Sequence, residues 1–511
     1  MRLPILNWGN CMNLKRVLMV VLAAAGLALA SCSGLHNSTP CTDCSSNAKL
    51  TITLYDTPPT GLNLLSFTLP IAGLSLVPST GSAVPLAPAV GSVEATRLVT
   101  DSALILDAAE VAAATYTTLN VTLGPTTATS NVFVNASGST ITWTTGSGGS
   151  CVTGAVCYLP AGAIFTIPLS LNQAFSANQN VWIGLNLNLS NAITTAGGLS
   201  VDFSQPQVLS FITTPRIGIP SGSVDTIEDF TGTVTAYSAG SSITVQNGVS
   251  GQKITAVLNG NTEYDASPNG SAYTGCSSGT PQSCIKVGST VSVDSNLSSA
   301  GVLTASEVDV LDVTAVDEVE GIIYPTSTTN VYGVILADKV SVSGNAILEA
   351  QTTTWGTGIF VTAGTTNNVF CIDTKTLTSQ LPNPSGLGFA GLGDILAGQQ
   401  VRLQVQNVTT GTSGGNTIIT ATANNVMLRF SRLPGTPSNV GTSGFYFAPP
   451  AYVSFLNSNL PAAPIALTYT TTLYDGVTDT PSLANVTTAS IRTLYLNNVN
   501  PTFAVAKVRV P

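Results

Sequence analysis

Histidine is almost missing: 511 residues contain one, His36. Charge is scarce as well, with 16 Lys and Arg against 25 Asp and Glu. The lone imidazole sits in a polar N-terminal stretch, so no Ser-His-Asp or Cys-His arrangement can form within a domain, and no His-rich zinc centre can either. No Gly-x-x-x-x-Gly-Lys loop is present to cradle a phosphate. Past the N-terminus there is no apolar run of the ~18 residues that would suggest a membrane-spanning helix. The mean hydropathy of +0.35 therefore reflects apolar residues spread over strands. A formal net charge of -9 and only two basic residues, Lys253 and Lys286, in the stretch 226–316 exclude nucleic acid as a partner, because a single-strand site needs a basic groove. No catalytic residue, metal site or cofactor is expected.

What is present begins with an address. Lys15 and Arg16 precede apolar residues from Val17 to Ala30, too short to span a bilayer but right for a signal peptide over residues 1–31, starting at Met1 or Met12. Leu29, Ala30, Ser31 and Cys32 resemble the lipobox of bacterial lipoproteins. The resemblance implies that Cys32 becomes the first mature residue and carries acyl chains such as palmitate on its thiol and amine. Each buried methylene contributes ~0.8 kcal/mol, and two or more chains hold stably. The membrane is then a partner through Cys32 alone. Ser33, not being aspartate, points by the same resemblance to the outer membrane of a diderm cell envelope. Loss of Arg2, Lys15 and Arg16 with the leader takes the charge from -9 to -12, since residues 1–31 hold no acid. Residues 32–48 read as a flexible tether.

Seven further cysteines suit an exported chain. Cys151 with Cys157, and Cys276 with Cys284, lie close in sequence around a glycine-containing turn and are expected to form disulfides, each contributing roughly 2 to 3 kcal/mol. Cys41 and Cys44 have thiol-redox spacing but no strand before or helix after them, leaving a small disulfide or thiols. Cys371, in "NNVFCIDT", is expected to be buried.

Few helix formers and many β-branched residues predict an all-β chain, with an N-terminal β-sandwich followed by three small OB-like β-barrel modules. The sandwich is assigned to residues 49–215 from short alternating strands such as "KLTITLYDTPPTG" and "VWIGLNLNLS" with turns between them. Ser102 to Ala114 is the best candidate for a short helix. Asp56, Pro58 and Pro59, then Ile71, Gly73, Leu74 and Leu76, then Ala114, Thr115, Tyr116, Thr117, Leu119 and Val121 resemble the motifs of a family found in lipidated envelope proteins, domain-of-unknown-function family 4382. Ala114 departs from that family's usual Gly.

Beyond a Pro/Gly/Ser boundary near residues 215–223, related closing segments recur at 285–312, at 395–429 and at the chain's end. Repetition at this scale means copies of one β module: 226–316, 317–430 and 431–511, the last fitting only at its end. The pattern from Gly232 to Val245, closed by "VGSTVSV", resembles domain-of-unknown-function family 5666, which implies small OB-like barrels.

Such barrels often bind oligosaccharides, and Trp355, in "TTTWGTG", is the candidate ligand-binding residue; its other reading is structural. Acids gather at Asp225, Glu228 and Asp229 and at Asp309, Asp312, Asp317, Glu318 and Glu320. At domain junctions these read as solvated charges or a weak calcium site lacking a proper loop. The expected function is that of a lipid-anchored, non-enzymatic cell-envelope protein, a binding or scaffolding array toward polysaccharide or another envelope protein. The alternative is a polysaccharide-active hydrolase using paired carboxylates.

Overall fold

The computed structural model describes residues 46–59, 62–127, 131–135, 142–147, 155–194, 199–212, 219–265, 281–311, 317–325, 329–341, 347, 358–363, 369–372, 388–396, 398–413, 416–441, 444–448, 465–468, 488–496 and 502–509. Between 131 and 157 that description is of the backbone alone. The leader, Cys32, the tether up to residue 45, Cys151, Cys276, Asp312 and Trp355 lie outside the described residues. Among the described residues no helix is long and apolar enough to cross a membrane.

The chain is all-β. Its first unit holds β1 (Asn47–Thr57), β2 (Asn63–Pro78), β3 (Val84–Leu86), β4 (Ser92–Glu94), β5 (Ala103–Ala112), β6 (Thr115–Leu123), β7 (Asn131–Asn135), β8 (Thr142–Ser147), β9 (Ala155–Tyr158), β10 (Phe165–Ala174), β11 (Asn180–Asn188), β12 (Ile193–Thr194), β13 (Ser200–Val201) and β14 (Leu209–Phe211). A sheet ordered β14-β11-β1-β5 packs on one ordered β10-β6-β2-β7-β9-β8, with β3 and β4 as further partners of β2. β1 is central, parallel to β11 and antiparallel to β5. It is buried along nearly its whole length rather than alternately, because one face meets the second sheet and the other meets the next unit. Asp56, at its end, is fully buried; burial, then the nearby Glu94 charge, pushes its carboxyl well up.

The expected helix from Ser102 to Ala114 is instead β5. Alanine favours helix, but tertiary demand overrides it here: Leu104 packs into the core of the second unit while Ile105 and Leu106 pack into that of the first. Consecutive residues on opposite faces are what a strand supplies and a helix does not. Bulges opposite Leu50 to Thr53 and a left-handed Ala108 (φ 41°) bend the pairing.

The second unit comprises β15 (Ser223–Ser238), β16 (Ser242–Gln246), β17 (Lys253–Val257), β18 (Glu263–Asp265), β19 (Thr290–Ser298) and β20 (Leu303–Val310). Five of them close in the ring order β15-β16-β17-β20-β19, the seam being a parallel pairing of Ala256 with Leu303 and Val257 with Thr304. The third unit, β21 (Asp317–Pro325), β22 (Val331–Ser341), β23 (Gly358–Ala363), β24 (Val369–Ile372), β25 (Gln400–Ser413) and β26 (Asn416–Arg429), repeats that order and closes with β23 parallel to β26. Both are barrels of the OB-like kind. Cys371 on β24 is half-buried rather than buried, with its thiol 3.9 Å from the Val426 carbonyl oxygen.

The fourth unit is a half-barrel among the described residues. β27 (Ser431–Gly441), β28 (Gly444–Ala448), β29 (Ile465–Thr468), β30 (Ala489–Leu496) and β31 (Thr502–Arg509) form one sheet, β29-β28-β27-β30-β31. Each barrel's first strand crosses its second so closely that one position admits only glycine. A Cβ on Gly232 would lie 2.2 Å from the Gln246 carbonyl oxygen, and one on Gly321 2.2 Å from that of Ile335.

Candidate functional site: a buried charge junction and the cleft beside it

The three repeated units can be aligned by strand register alone. Gly232 pairs Val291, which pairs Val310; Gly321 pairs Val401, which pairs Leu428; Leu433 pairs Ile491, which pairs Val508. The neighbouring row reads Thr231, Ser292 and Asp309 in the first barrel. It reads Glu320, Arg402 and Met427 in the second, and Arg432, Arg492 and Lys507 in the half-barrel. One structural position thus carries a net charge of -1, 0 and +3 in successive units.

These rows meet one another. Arg432 of the half-barrel forms an ion pair with Glu228 of the first barrel, and Arg492 lies 3.9 Å from Asp294. Asp309 Oδ2 accepts from Arg402 Nη2 at 3.2 Å and Arg429 Nη2 at 3.3 Å, joining the two barrels. Glu320 accepts from Arg402 Nε at 3.3 Å and from Gln400. The sandwich enters through Arg97, at the end of a 3-10 turn (Ala95–Arg97), which reaches Asp229 at 2.5 Å and Glu320 at 3.2 Å.

A second cluster adjoins it. Lys507 donates to Asp101 of the sandwich and to Thr226 Oγ1 at 2.9 Å; Arg509 donates to the Thr100 carbonyl at 2.8 Å and to Thr226 Oγ1 at 2.6 Å. Asp225 accepts from Thr53 Oγ1 at 2.6 Å and Ser102 Oγ at 3.0 Å, and Trp182 Nε1 donates to the same Thr53 hydroxyl. The backbone is stitched too: Ser102 N donates to Thr226 O at 2.9 Å and Glu228 N to Ser102 O at 3.0 Å.

Seven of the chain's 16 basic residues converge here: Arg97, Arg402, Arg429, Arg432, Arg492, Lys507 and Arg509. Lys507 and Arg509 are fully buried. Among them about 20 Å³ stays open, room for about one water. The titration behaviour follows from this packing. Burial opposes ionisation of Glu320, but Arg429, Arg97 and Arg402 outweigh it and hold the carboxyl at about 2. Burial likewise opposes ionisation of Asp101, and Lys507, Arg492 and Arg509 hold it well below the carboxylate range. Asp294 goes the other way, pushed up to about 8 by burial and by the Asp229 charge.

Of the acids expected to be solvated, most of those described are not, and Asp229 and Asp317 are half-buried. Asp225, Glu228, Asp309, Glu318 and Glu320 are all buried: Asp225, Glu228, Asp309 and Glu320 meet side chains of other units, and Glu318 accepts from Gln404 of its own barrel. Among the described residues no group of three or more His, Cys, Asp or Glu could hold a metal.

Beside the junction, between sandwich and first barrel, lies a cleft of about 750 Å³. Its walls are the segment 90–94 with Pro70 and Leu104 on one side, and 228–233 with the turn 247–249 on the other. Glu94 lines it and is held by Phe67 N at 2.7 Å, Thr96 Oγ1 at 2.7 Å and Ser66 Oγ at 3.0 Å. Burial still pushes its carboxyl up.

Residues 231–309 match a family model, the Domain of unknown function DUF5666. That stretch is the first barrel from the middle of β15 to Asp309 on β20, so the DUF5666 segment contains its whole row of Thr231, Ser292 and Asp309. No curated protein matches the chain.

Of the residues singled out in the sequence, the junction brings together Asp225, Glu228, Asp229, Asp309 and Glu320. Cys284 is buried in a 3-10 turn (Pro281–Cys284), Cys157 lies on β9, and their expected partners fall outside the described residues. The basic half of the junction was not anticipated. Its signal is present as "SRLPG", "VRL", "IRT" and "AKVRV": basic residues inside apolar strands of a chain with hardly any charge to spare.

Proposed function

We propose that the protein is a lipid-anchored, non-enzymatic cell-envelope scaffold, tethered through Cys32 and presenting the sandwich and its three following units as one rigid array toward polysaccharide or another envelope protein. The observation that carries this reading is the charge junction. A buried ion pair contributes little net stability compared with an apolar contact of the same shape, but breaking one leaves a stranded charge. Such a junction therefore serves arrangement more than strength: acidic first barrel, mixed second barrel and basic half-barrel dock in one order. The engaged state of the cleft carboxylates supports a non-enzymatic role, since Glu94 is saturated by donors and Asp229 is held by Arg97. The reading includes disulfides Cys151–Cys157 and Cys276–Cys284, and for residues 49–215 kinship with family 4382.

Expression with its own leader in a diderm host tests the anchor. Wild type should fractionate with outer membranes and yield an acylated N-terminal peptide by mass spectrometry, while Cys32→Ala should be released. A Cys32→Ala protein that fractionates as wild type sinks the anchor. Glycan-array binding by the released chain tests the array.

A further inference from the structure

We propose that the cleft between the sandwich and the first barrel binds a small, uncharged and predominantly apolar molecule. The cleft is built, not incidental. Its far side is pinned where Ser250 Oγ donates to the Ala89 carbonyl at 2.5 Å, and its base is closed by the paired backbone of Ser102 with Thr226 and Glu228. Two anchored units thus hold open a space of about 750 Å³, within the range of about 300 to 1,000 Å³ typical of ligand pockets, which favour domain interfaces.

The lining selects the ligand. Pro70, Val90, Pro125 and Val249 supply accessible apolar wall. The charged side chains at its inner end are engaged: Asp229 with Arg97, Glu228 Oε1 with Arg432, and Glu94 with backbone and hydroxyl donors. An ionic ligand would find no uncompensated partner and would lose its hydration. Asn247 is spent on its own turn, donating to Thr231 O at 3.1 Å and accepting from Val249 N and Ser250 N. Thr233, exposed at the wall, can offer a hydrogen bond. Among the described residues the one aromatic in the lining, Phe230, is 2% exposed, so none of them offers a ring on which a sugar could stack.

The test uses the full mature chain carrying Cys32→Ala, free of detergent, titrated with the neutral fluorophore N-phenyl-1-naphthylamine. Gly248 lines the cleft and a Cβ there meets nothing within 4 Å, so Gly248→Trp fills the space without disturbing the fold; Thr233→Trp is the second plug. The expected result is saturable one-to-one binding, weakened at least tenfold by either plug with melting temperature unchanged. Weak competition by the anionic 8-anilinonaphthalene-1-sulfonate is expected too. Absence of saturable binding, or equal affinity in both plugged variants, overturns the proposal. Displacement by millimolar maltohexaose, cellohexaose or xylohexaose also overturns it, in favour of a carbohydrate site, while leaving the array reading intact. Failure of the cleft and failure of the array therefore give different results.

Discussion

The two closed barrels share one frame and differ in one row. In the first, Thr231 and Ser292 face each other as hydroxyls 3.3 Å apart; in the second the same pair is Glu320 and Arg402. The barrel interiors do not need that difference, since both are filled by aliphatic side chains such as Val291 and Val293 or Val401 and Leu403. What differs is what lies outside. The Thr231 side of the first barrel opens on the cleft, whereas the Glu320 side of the second faces arginines from its own strands and from the sandwich. The half-barrel takes the divergence furthest. Arg432, Arg492 and Lys507 sit side by side across three strands, an arrangement that like-charge repulsion disfavours and that the acids Glu228 and Asp101 of other units offset.

The comparison can be broken hardest at Glu320. Glu320→Leu removes the carboxylate shared by Arg97, Arg402 and Arg429, leaves Asp229 and Asp309 as their remaining acidic partners, and should destabilise the protein by about 3 kcal/mol in urea unfolding. Ser292→Ala, across the same row of the other barrel, removes a hydroxyl that donates to Asp229 at 3.1 Å and should cost about 1.5 kcal/mol. Similar losses at the two positions would mean the rows are equivalent after all.

The shared frame predicts a shared weakness. Gly232→Ala and Gly321→Ala each drive a methyl into a carbonyl oxygen of the facing strand, and each should cost on the order of 1 to 3 kcal/mol. A large effect in one barrel alone would contradict the register alignment.

A smaller effect separates the junction's carboxylates by pH. Glu320 is held at about 2, below its unfolded value, so its contribution is complete above about 4.5 and is lost as pH falls toward 2. Asp294, raised to about 8, works in the opposite sense: its contribution is complete below about 4 and is lost as pH climbs to about 8. Melting temperature against pH should therefore fall at both ends. Asp294→Asn should lift the alkaline side and leave the acid side unchanged. If it shifts neither, Asp294 does not carry the alkaline loss.

Much of the architecture was legible in the sequence because it is written in local patterns. β-branched residues and recurring closing segments point to strands and to barrel modules without knowledge of any partner. The same local logic failed at β5, where "ALILDAAEVA" has helical composition but must serve two cores at once. It failed again at the junction. Nothing near Glu320 in sequence announces Arg97 or Arg429, and alternation along "AKVRV" places Lys507 and Arg509 on one face without saying that the face is covered. A charge-poor chain that keeps basic residues inside apolar strands carries the clue, but their partners lie as far as 409 positions away, as for Arg509 and Thr100.

The central claim is that charges of opposite sign on different units lock those units together. A double-mutant cycle on Glu228→Gln and Arg432→Met, read by urea unfolding of the full mature chain, tests it most directly. Each single change should destabilise and the double change should recover part of the loss, giving a coupling of about 1 to 3 kcal/mol. Additivity within about 0.5 kcal/mol would contradict the account.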